Sequence, residues 1–251
     1  SKAKLIKRME KVETVEHQAR FSFSFPPVAR AGDRVMVLEG VSKSFGSNHL
    51  YSGVDMVVRR GERVGVVGVN GSGKTTLLRL MAGELGLTAG SITFGANVEW
   101  VYYAQHQTEA LNLKNTIIEE IRLVAPSMGE TQVRSVLGAF LFRGEEVDKV
   151  IGVLSGGEKA RVALAKLLVK PGNLLLMDEP TNHLDLESAE SLAEALEQYE
   201  GTLIFVSHNR SYIDRLATRI WEVGEGNITE FPGNLSEYME FLAKRSEVKQ
   251  F

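Results

Sequence analysis

Residues 68–75 of the chain read GVNGSGKT, a glycine-rich loop of the form GxxxxGK[ST]. The apolar residues 64–67 before the loop predict a buried strand, and residues 76–82 after it predict a helix. Glycines let the backbone curl so that successive N–H groups point at a phosphate, and the helix N-terminus adds partial positive charge. The motif predicts a phosphate-binding loop in which Lys74 reaches the outer phosphates and the Thr75 hydroxyl binds Mg²⁺. The alternative is a flexible turn between two core elements.

The composition limits the classes of protein to which the chain can belong. It has 251 residues, of which 43% are hydrophobic and 24% charged, as in ordinary globular proteins with a sizeable core. The absence of cysteine excludes a disulfide framework, a cysteine zinc site and a thiol nucleophile. No apolar run approaches the roughly 20 residues that span a bilayer, and the start lacks the apolar core of a signal peptide. We therefore expect a cytoplasmic protein without direct membrane insertion, any membrane link being through a partner.

Residues 1–30 form a basic segment with the pattern of a linker. They carry seven Lys or Arg and three Glu, although the whole chain has a formal net charge of −3. Apolar residues at helical spacing predict an exposed amphipathic or coiled-coil helix over residues 2–18, and alternating phenylalanines before two prolines predict an extended segment over residues 21–27. The basic residues 2–11, with a second group at 244–249, face either RNA phosphates or solvent. Because the chain starts with Ser, it is either a segment of a longer protein or one with residues left by processing.

Two apolar runs predict strands of a parallel sheet whose ends carry reactive side chains. Residues 174–177 precede Asp178 and Glu179, and residues 203–206 are followed closely by His208. Strands of parallel sheets are buried on both faces and read this way, and ligands bind beyond their carboxyl ends. We therefore expect both carboxylates and the imidazole at the edge where ligands bind. The alternative for His208 is a structural histidine.

Periodicity predicts the remaining elements. They are strands at 35–38, 54–58, 91–94 and 100–103, a helical insertion at 115–142, helices at 160–169, 186–199 and 236–249, and a hairpin over 220–231. In the C-terminal helix we expect Tyr238, Phe241 and Leu242 to face inward.

Two local patterns have a structural and a functional interpretation. Phe45, in the turn after the first predicted strand, either packs in the core or stacks on a purine ring. Ser155 and Glu158 have the spacing of a capping box at a helix start. The two glycines between them, Gly156 and Gly157, exceed what a cap requires.

These signals stand in one order along the chain, and together they carry a resemblance to a known family. The order is the glycine loop, Gln105, residues 155–157, residues 178–179 and His208. In this order the chain resembles the nucleotide-binding domain of the ABC ATPases over residues 33–235.

The resemblance implies the fold and the domain organisation. It implies an α/β fold of the P-loop NTPase (RecA-like) type, with a mostly parallel sheet core, an antiparallel β subdomain and an α-helical subdomain at about 107–157. Residues 1–30 would be the end of an inter-domain linker, residues 31–251 the nucleotide-binding domain, and residues 236–250 its C-terminal helix.

The resemblance also implies the cofactors, ATP and Mg²⁺, and the roles of the site residues. Glu179 would orient and deprotonate the attacking water, His208 would donate to the γ-phosphate, and Lys74 and Gln105 would complete the catalytic set. Phe45 would stack on adenine. The residues expected to arrange Mg²⁺ are Thr75, Gln105 and Asp178. The other residues expected to contact the nucleotide are Gly68, Val69, Asn70, Gly71, Ser72, Gly73, Lys74, Thr75 and Thr76.

In this family, residues matching Ser155, Gly156 and Gly157 complete the ATP site of a different nucleotide-binding domain, packed head to tail. One copy would therefore hold two half-sites, and ATP would join two copies. We expect as partner either the other half of the same parent chain or, in isolation, a second copy of this domain.

Three stretches are similar to the ABC-F group, whose members carry two such domains in one chain and no membrane part. They are DEPTNHLD at 178–185, LSGGEKAR at 154–161 and SHNR at 207–210, the last with Asn209 where the group usually has Asp. The linker-like start at residues 2–27 also resembles the segment between the two domains of that group. The resemblance implies the second half of such a protein, with the ribosome and its RNA as a partner in translation.

Two other classes of function remain open. One is the ATPase subunit of a membrane transporter, in which the helical insertion would dock on transmembrane partners; the linker-like N-terminus argues against it. The other is a purely regulatory nucleotide-binding module, which the presence of Glu179 weakens.

Overall fold

Apolar runs of the sequence lie side by side at the centre of the molecule as a parallel sheet. The strands of the computed structural model are, in chain order, β1 (Arg34–Phe45), β2 (Asn48–Arg59), β3 (Arg63–Val67), β4 (Ala89–Phe94), β5 (Trp100–Tyr103), β6 (Leu174–Asp178), β7 (Thr202–Val206), β8 (Arg219–Gly224) and β9 (Asn227–Pro232). Six of them form a sheet in the order β5-β6-β7-β3-β8-β9. Neighbours pair in parallel up to β8, and only β9 is antiparallel. The predicted strands and the predicted hairpin β8–β9 are confirmed.

The structure describes residues 25–104, 107–182 and 184–248. The predicted linker helix, Phe21, Phe23 and Gln105 lie outside these residues. Phe25 is described, and its ring lies 4.9 Å from that of Tyr199 against the core. Phe25 therefore anchors the start of the described chain to the core of the domain.

A second, antiparallel sheet has the order β2-β1-β4. Its hairpin β1–β2 turns at Gly46, whose φ of 58° lies in the left-handed region. Both strands of the hairpin have twelve residues, and so they extend well beyond the predicted segments. The hairpin brings Phe45, the last residue of β1, to one end of this sheet.

Seven α-helices surround the sheets in the described residues. They are α1 (Lys74–Met81), α2 (Ile117–Val124), α3 (Glu130–Ala139), α4 (Gly156–Leu168), α5 (Leu186–Glu197), α6 (Arg210–Leu216) and α7 (Leu235–Val248). The helical insertion between β5 and β6 is confirmed, and short 3-10 helices at 107–110, 144–148 and 151–153 complete it. Helix α6 was not predicted. Among the helices in the described part of the chain, none combines the length and the apolar character that a bilayer span requires.

The parallel sheet separates two hydrophobic clusters. Alternate residues of β6 and β7 point to opposite faces, because side chains alternate along a strand. On one face Leu175 and Phe205 pack with helices α2 to α7, and on the other Leu176 and Ile204 pack with α1 and the antiparallel sheet. This burial on both faces explains the uninterrupted apolar runs in the sequence.

The C-terminal helix α7 departs from its prediction at one position. Tyr238 is buried and Leu242 is partly buried, as expected, but Phe241 is 45% exposed. The ring of Phe241 lies 5.3 Å from the ring of Phe231 at the surface. The prediction that Phe241 faces inward is therefore wrong. Its ring stays exposed on α7 and pairs with the ring of Phe231 on β9.

Candidate functional site

The carboxyl ends of β3, β6 and β7 open into one cavity of about 420 Å³. This is the edge at which a parallel α/β sheet binds ligands. The residues that line the cavity are Phe45, Leu50, Asn70, Gly71, Gly73, Lys74, Thr75, Thr76, Glu179, Asn182, Val206 and His208.

The glycine loop after β3 has a backbone that only glycine adopts freely. Gly68, Gly71 and Gly73 have φ values of 148°, 82° and 106°. At Gly68 a Cβ would also lie 2.3 Å from the Val223 carbonyl oxygen. Helix α1 begins directly after the loop, without a side-chain cap or an acidic residue in its first turn. The free N–H groups of this turn therefore remain available to an anion.

Lys74 places an ammonium group at the cavity. The side chain is largely buried, and Nζ donates to the carbonyl oxygens of Gly68 at 2.9 Å and Val69 at 3.1 Å. These two bonds hold the ammonium group above the loop. Since both partners are neutral, the positive charge remains available to a phosphate.

Asp178 and Thr75 present oxygen atoms side by side. The Thr75 hydroxyl donates to Asp178 Oδ1 at 3.3 Å, and Asp178 Oδ2 is buried without a hydrogen-bond partner among the described residues. Burial raises the pKa of the Asp178 carboxyl, against the Thr75 hydrogen bond and the charges of Lys74 and His208. An unpartnered carboxylate oxygen beside a hydroxyl fits Mg²⁺, which prefers hard oxygen ligands. Gln105, the third expected ligand, lies outside the described residues.

Glu179 and His208 face each other across the ends of β6 and β7. Glu179 Oε2 accepts the His208 backbone N–H at 3.1 Å, and His208 Nε2 lies 3.3 Å from Glu179 Oε1. This second contact lacks hydrogen-bond alignment, so Oε1 has no hydrogen-bond partner within the described residues. Burial raises the pKa of the Glu179 carboxyl, and the charge of Asp178 adds to that rise while His208 opposes it. Glu179 also has a φ of 49°, an uncommon backbone conformation for this residue type.

Phe45 stands at the rim of the cavity on the β1–β2 turn. Its side chain is 49% exposed, and Lys43 Nζ lies 4.6 Å from the ring centroid. An exposed aromatic face beside a phosphate-binding loop is suited to stack on a nucleotide base. The adenine-stacking role stays a prediction.

The residues expected to serve a second domain lie elsewhere. Ser155 caps α4: its backbone N–H and hydroxyl donate to Glu158 Oε2 at 2.8 and 2.7 Å, and its Oγ accepts the Glu158 N–H at 3.3 Å. This geometry confirms the predicted capping box. Ser155 and Gly156 are exposed, and neither they nor Gly157 line the cavity. We use the name signature for residues 154–158.

Some predicted contact residues do not line the cavity, and some lining residues were not predicted. Gly68, Val69, Ser72 and Asp178 are absent from the cavity wall, whereas Leu50, Asn182 and Val206 belong to it. Asn182 is placed there by a turn in which its N–H donates to the Glu179 carbonyl at 3.0 Å. That turn lies within the DEPTNHLD stretch, so the sequence carried a signal that could have predicted Asn182 as a site residue. Leu50 and Val206 carry no such signal, because ordinary strand residues reach the cavity only through the fold.

Comparison with known proteins agrees with this geometry. The sequence model of the ABC transporter family matches residues 51–182. The chain is 38% identical over 252 residues to a putative ATP-binding protein, YdiF, of Bacillus subtilis, covering 100% of this chain and 39% of that protein. It is 35% identical to a probable ATP-binding protein, YheS, of Haemophilus influenzae, covering 100% of this chain and 40% of that protein.

A plant relative carries the name of a subfamily. The chain is 35% identical to ABC transporter F family member 2 of Arabidopsis thaliana, covering 99% of this chain and 37% of that protein. The chain thus spans about 40% of the length of these relatives. On the match to its family model, the chain belongs to the ABC transporter family, as an ABC ATPase domain with relatives of the F type.

Proposed function

We propose that this chain is the second, C-terminal domain of an ABC-F type protein. In that protein, ATP binding closes two such domains onto each other and hydrolysis lets them separate. We further propose that the parent protein acts on the ribosome during translation, in the cytoplasm. Within the chain, we assign residues 1–30 to the linker between the two domains and residues 31–251 to the ATPase domain.

The observation that carries the pairing is the division of the site. The phosphate loop, Glu179 and His208 line one cavity, while Ser155 and Gly156 are exposed outside it. The predicted nucleotide-contacting residues therefore form two separate groups on one domain. A second domain packed head to tail would bring its own signature over this cavity and would receive Ser155 on its nucleotide. A second copy of this domain would offer the same surfaces in isolation.

Within the cavity, each residue of this chain has a distinct task in hydrolysis. Lys74 and the N–H groups of the loop hold the phosphates, and Phe45 supports the base. Thr75 and Asp178 would hold Mg²⁺, whose positive charge would offset the charge on the phosphate oxygens. The unpartnered Glu179 Oε1 would accept a proton from the attacking water.

His208 has two tasks in this scheme. Its backbone N–H fixes one oxygen of Glu179, which leaves the other oxygen for the water. Its exposed imidazole would donate to the γ-phosphate, where charge develops as the bond to the leaving group lengthens. Hydrolysis thus needs precise placement and little covalent chemistry from the protein.

The ribosome is proposed on the resemblance to the ABC-F group alone, and the relative from Arabidopsis thaliana carries the name of that group. The decisive experiment is co-sedimentation of the full-length parent carrying Glu179→Gln with ribosomes, with and without ATP. We expect association that requires ATP, because the variant binds ATP without hydrolysing it. The same protein with an added Lys74→Ala change is the matched control and should stay in the supernatant. Absence of ATP-dependent association would favour the ATPase subunit of a membrane transporter.

A further inference from the structure

A buried lysine lies against the aromatic ring at the rim of the cavity. Lys43 and Phe45 are two residues apart on β1, the spacing at which side chains share one face of a strand. Lys43 Nζ lies over the Phe45 ring, 4.6 Å from its centroid, within the range of a cation–π contact. Lys43 is 9% exposed, whereas Phe45 is 49% exposed and lines the cavity. The ammonium group therefore covers one face of the ring and leaves the rest of it accessible to a ligand.

Neutral groups stabilise the buried charge of Lys43. Its Nζ donates to the Gly86 carbonyl oxygen at 2.7 Å, and it forms no salt bridge in the part of the chain that the structure describes. Lysine is almost never buried without a partner. The carbonyl group and the Phe45 ring serve as these partners, and since neither carries a net charge, the cation next to the ring is not neutralised. A cation–π contact is stronger where water is excluded, as it is around this side chain.

The carbonyl that Lys43 binds belongs to the segment that follows α1, the helix that starts at the phosphate loop. This segment is attached to β1 by two further hydrogen bonds. The Thr88 N–H donates to the Ser42 carbonyl at 2.9 Å, and the Ser44 N–H donates to the Thr88 hydroxyl at 3.0 Å. The strand that carries Phe45 is therefore tied to the far end of α1, on both sides of the Lys43–Gly86 contact.

The other strand of the hairpin packs on the phosphate loop itself. A Cβ added to Gly73 would lie 3.1 Å from a Leu50 methyl and 3.3 Å from a ring carbon of Tyr51. The hairpin is thus fixed to the loop on one side and to the end of α1 on the other. A nucleotide joins its base and its phosphates covalently, so both must find their partners at one set separation. Contacts that fix Phe45 relative to the loop provide that separation in advance.

We propose that Lys43 is a positioning residue for the base of the nucleotide. This inference rests on the proposed stacking of adenine on Phe45. The ammonium group holds the ring in one plane and draws its π-electron density toward the covered face. The opposite face becomes a better platform for an electron-rich purine. Lys43 does not line the cavity, so its contribution should appear only with ligands that carry a base.

The test compares two ligands by isothermal titration calorimetry on the full chain with Mg²⁺: a non-hydrolysable ATP analogue and inorganic tripolyphosphate. Phe45→Ala should weaken binding of the analogue by about 5- to 150-fold, the range for losing one stacked base. Lys43→Met removes the charge but keeps an unbranched side chain, and it should weaken binding of the analogue by about three- to tenfold, within the range for a cation–π contact. Neither change should alter the affinity for tripolyphosphate, which has no base.

Further variants separate the effect of the charge from loss of structure. Lys43→Arg retains a cation that stacks on aromatic rings and should bind the analogue more tightly than Lys43→Met. Lys43→Gln is a second neutral variant that keeps an N–H donor for the Gly86 carbonyl; it should show the same loss, and it replaces Lys43→Met if that variant does not fold. Lys114→Met makes the same change at an exposed lysine of the helical insertion and should leave both affinities unchanged. In a Phe45→Ala background, Lys43→Met should have no further effect, because it acts through the ring.

The proposal is overturned if the neutral variants of Lys43 bind the analogue as wild type does, or if they weaken analogue and tripolyphosphate equally. A loss of the same size with and without the Phe45 ring would also overturn it. Phe45→Ala tests the stacking on which the inference depends. If that variant binds the analogue as wild type does, the stacking role fails and the role of Lys43 fails with it. If Phe45→Ala weakens binding while the Lys43 variants do not, the stacking stands and only the positioning role is refuted.

Discussion

We expect that replacing Glu179 by Gln separates ATP binding from hydrolysis. The substitution exchanges one carboxylate oxygen for an amide group and keeps the volume of the side chain. The remaining oxygen can still accept the His208 N–H that Glu179 Oε2 accepts at 3.1 Å. Because Glu179 is buried and its carboxyl is desolvated, a neutral amide adds no cost to the fold. The variant should therefore fold and bind ATP.

The expected loss of hydrolysis rate follows from the proposed role of Glu179 as a general base. A positioned general base contributes roughly 10²- to 10⁴-fold to a rate, which corresponds to about 2.7 to 5.5 kcal/mol of activation free energy. An amide cannot accept the proton from water at neutral pH, so this contribution is lost. Lys74, Thr75 and the loop glycines are unchanged, and hence the dissociation constant for ATP should stay within a few-fold of wild type.

Phosphate release at saturating ATP measures the hydrolysis rate, and isothermal titration calorimetry measures the dissociation constant for ATP. Both measurements use the full-length parent. Glu200→Gln makes the same chemical change at an exposed position and should leave both unchanged. A Glu179→Gln variant that hydrolyses ATP within twofold of wild type would show that Glu179 is not the base. A variant that no longer binds ATP would show that its carboxylate holds the site together.

Three further changes test the loop, the core and the electrostatics of the site. Lys74→Ala should weaken ATP binding by roughly 10- to 100-fold or more, since a charge-assisted hydrogen bond is lost; unchanged affinity by calorimetry would contradict the phosphate-loop assignment. Gly65→Ala places a methyl 2.9 Å from a buried isoleucine methyl and should lower the free energy of unfolding by about 1–3 kcal/mol in urea titrations. Gly86→Ala, where a Cβ meets nothing within 4 Å, should not lower it. His208→Ala removes a charge that lowers the pKa of Glu179, so the acid limb of the kcat profile should move to higher pH; a limb that stays in place or moves to lower pH would refute that coupling.

Strand ends were the part of the site that the sequence predicted best. Residues 174–177 and 203–206 are buried on both faces, and such strands leave an uninterrupted apolar run that is hard to mistake. The polar residue after each run must then lie at the carboxyl edge of the sheet. Asp178 is the last residue of β6, and the contacts between Glu179 and His208 just beyond the strands agree with that reasoning.

Helix α6 and the cavity wall show where local patterns carry too little information. The seven residues of α6 are too few for intrinsic helix stability, and Tyr212, Ile213 and Leu216 form it by packing into the core. Asn209 caps it, accepting the Tyr212 N–H at 3.2 Å. Leu50 reaches the cavity because the β1–β2 hairpin folds over the glycine loop, where a Cβ on Gly73 would lie 3.1 Å from a Leu50 methyl. Such contacts between distant segments have no periodicity to reveal them.

Gly156 has no contact within this domain that would require a glycine. It opens α4 with an ordinary negative φ, and a Cβ added to it would meet nothing within 4 Å. Glycine within a helix costs about 0.5–1 kcal/mol relative to alanine, and the Ser155–Glu158 capping box works without it. Gly68 and Gly90, by contrast, prevent overlap with backbone atoms of the same domain, whereas Gly86 resembles Gly156 in having open space at its Cβ position. The contacts within this domain therefore do not explain Gly156, and the proposed approach of a nucleotide held by a second domain would give the missing side chain a reason.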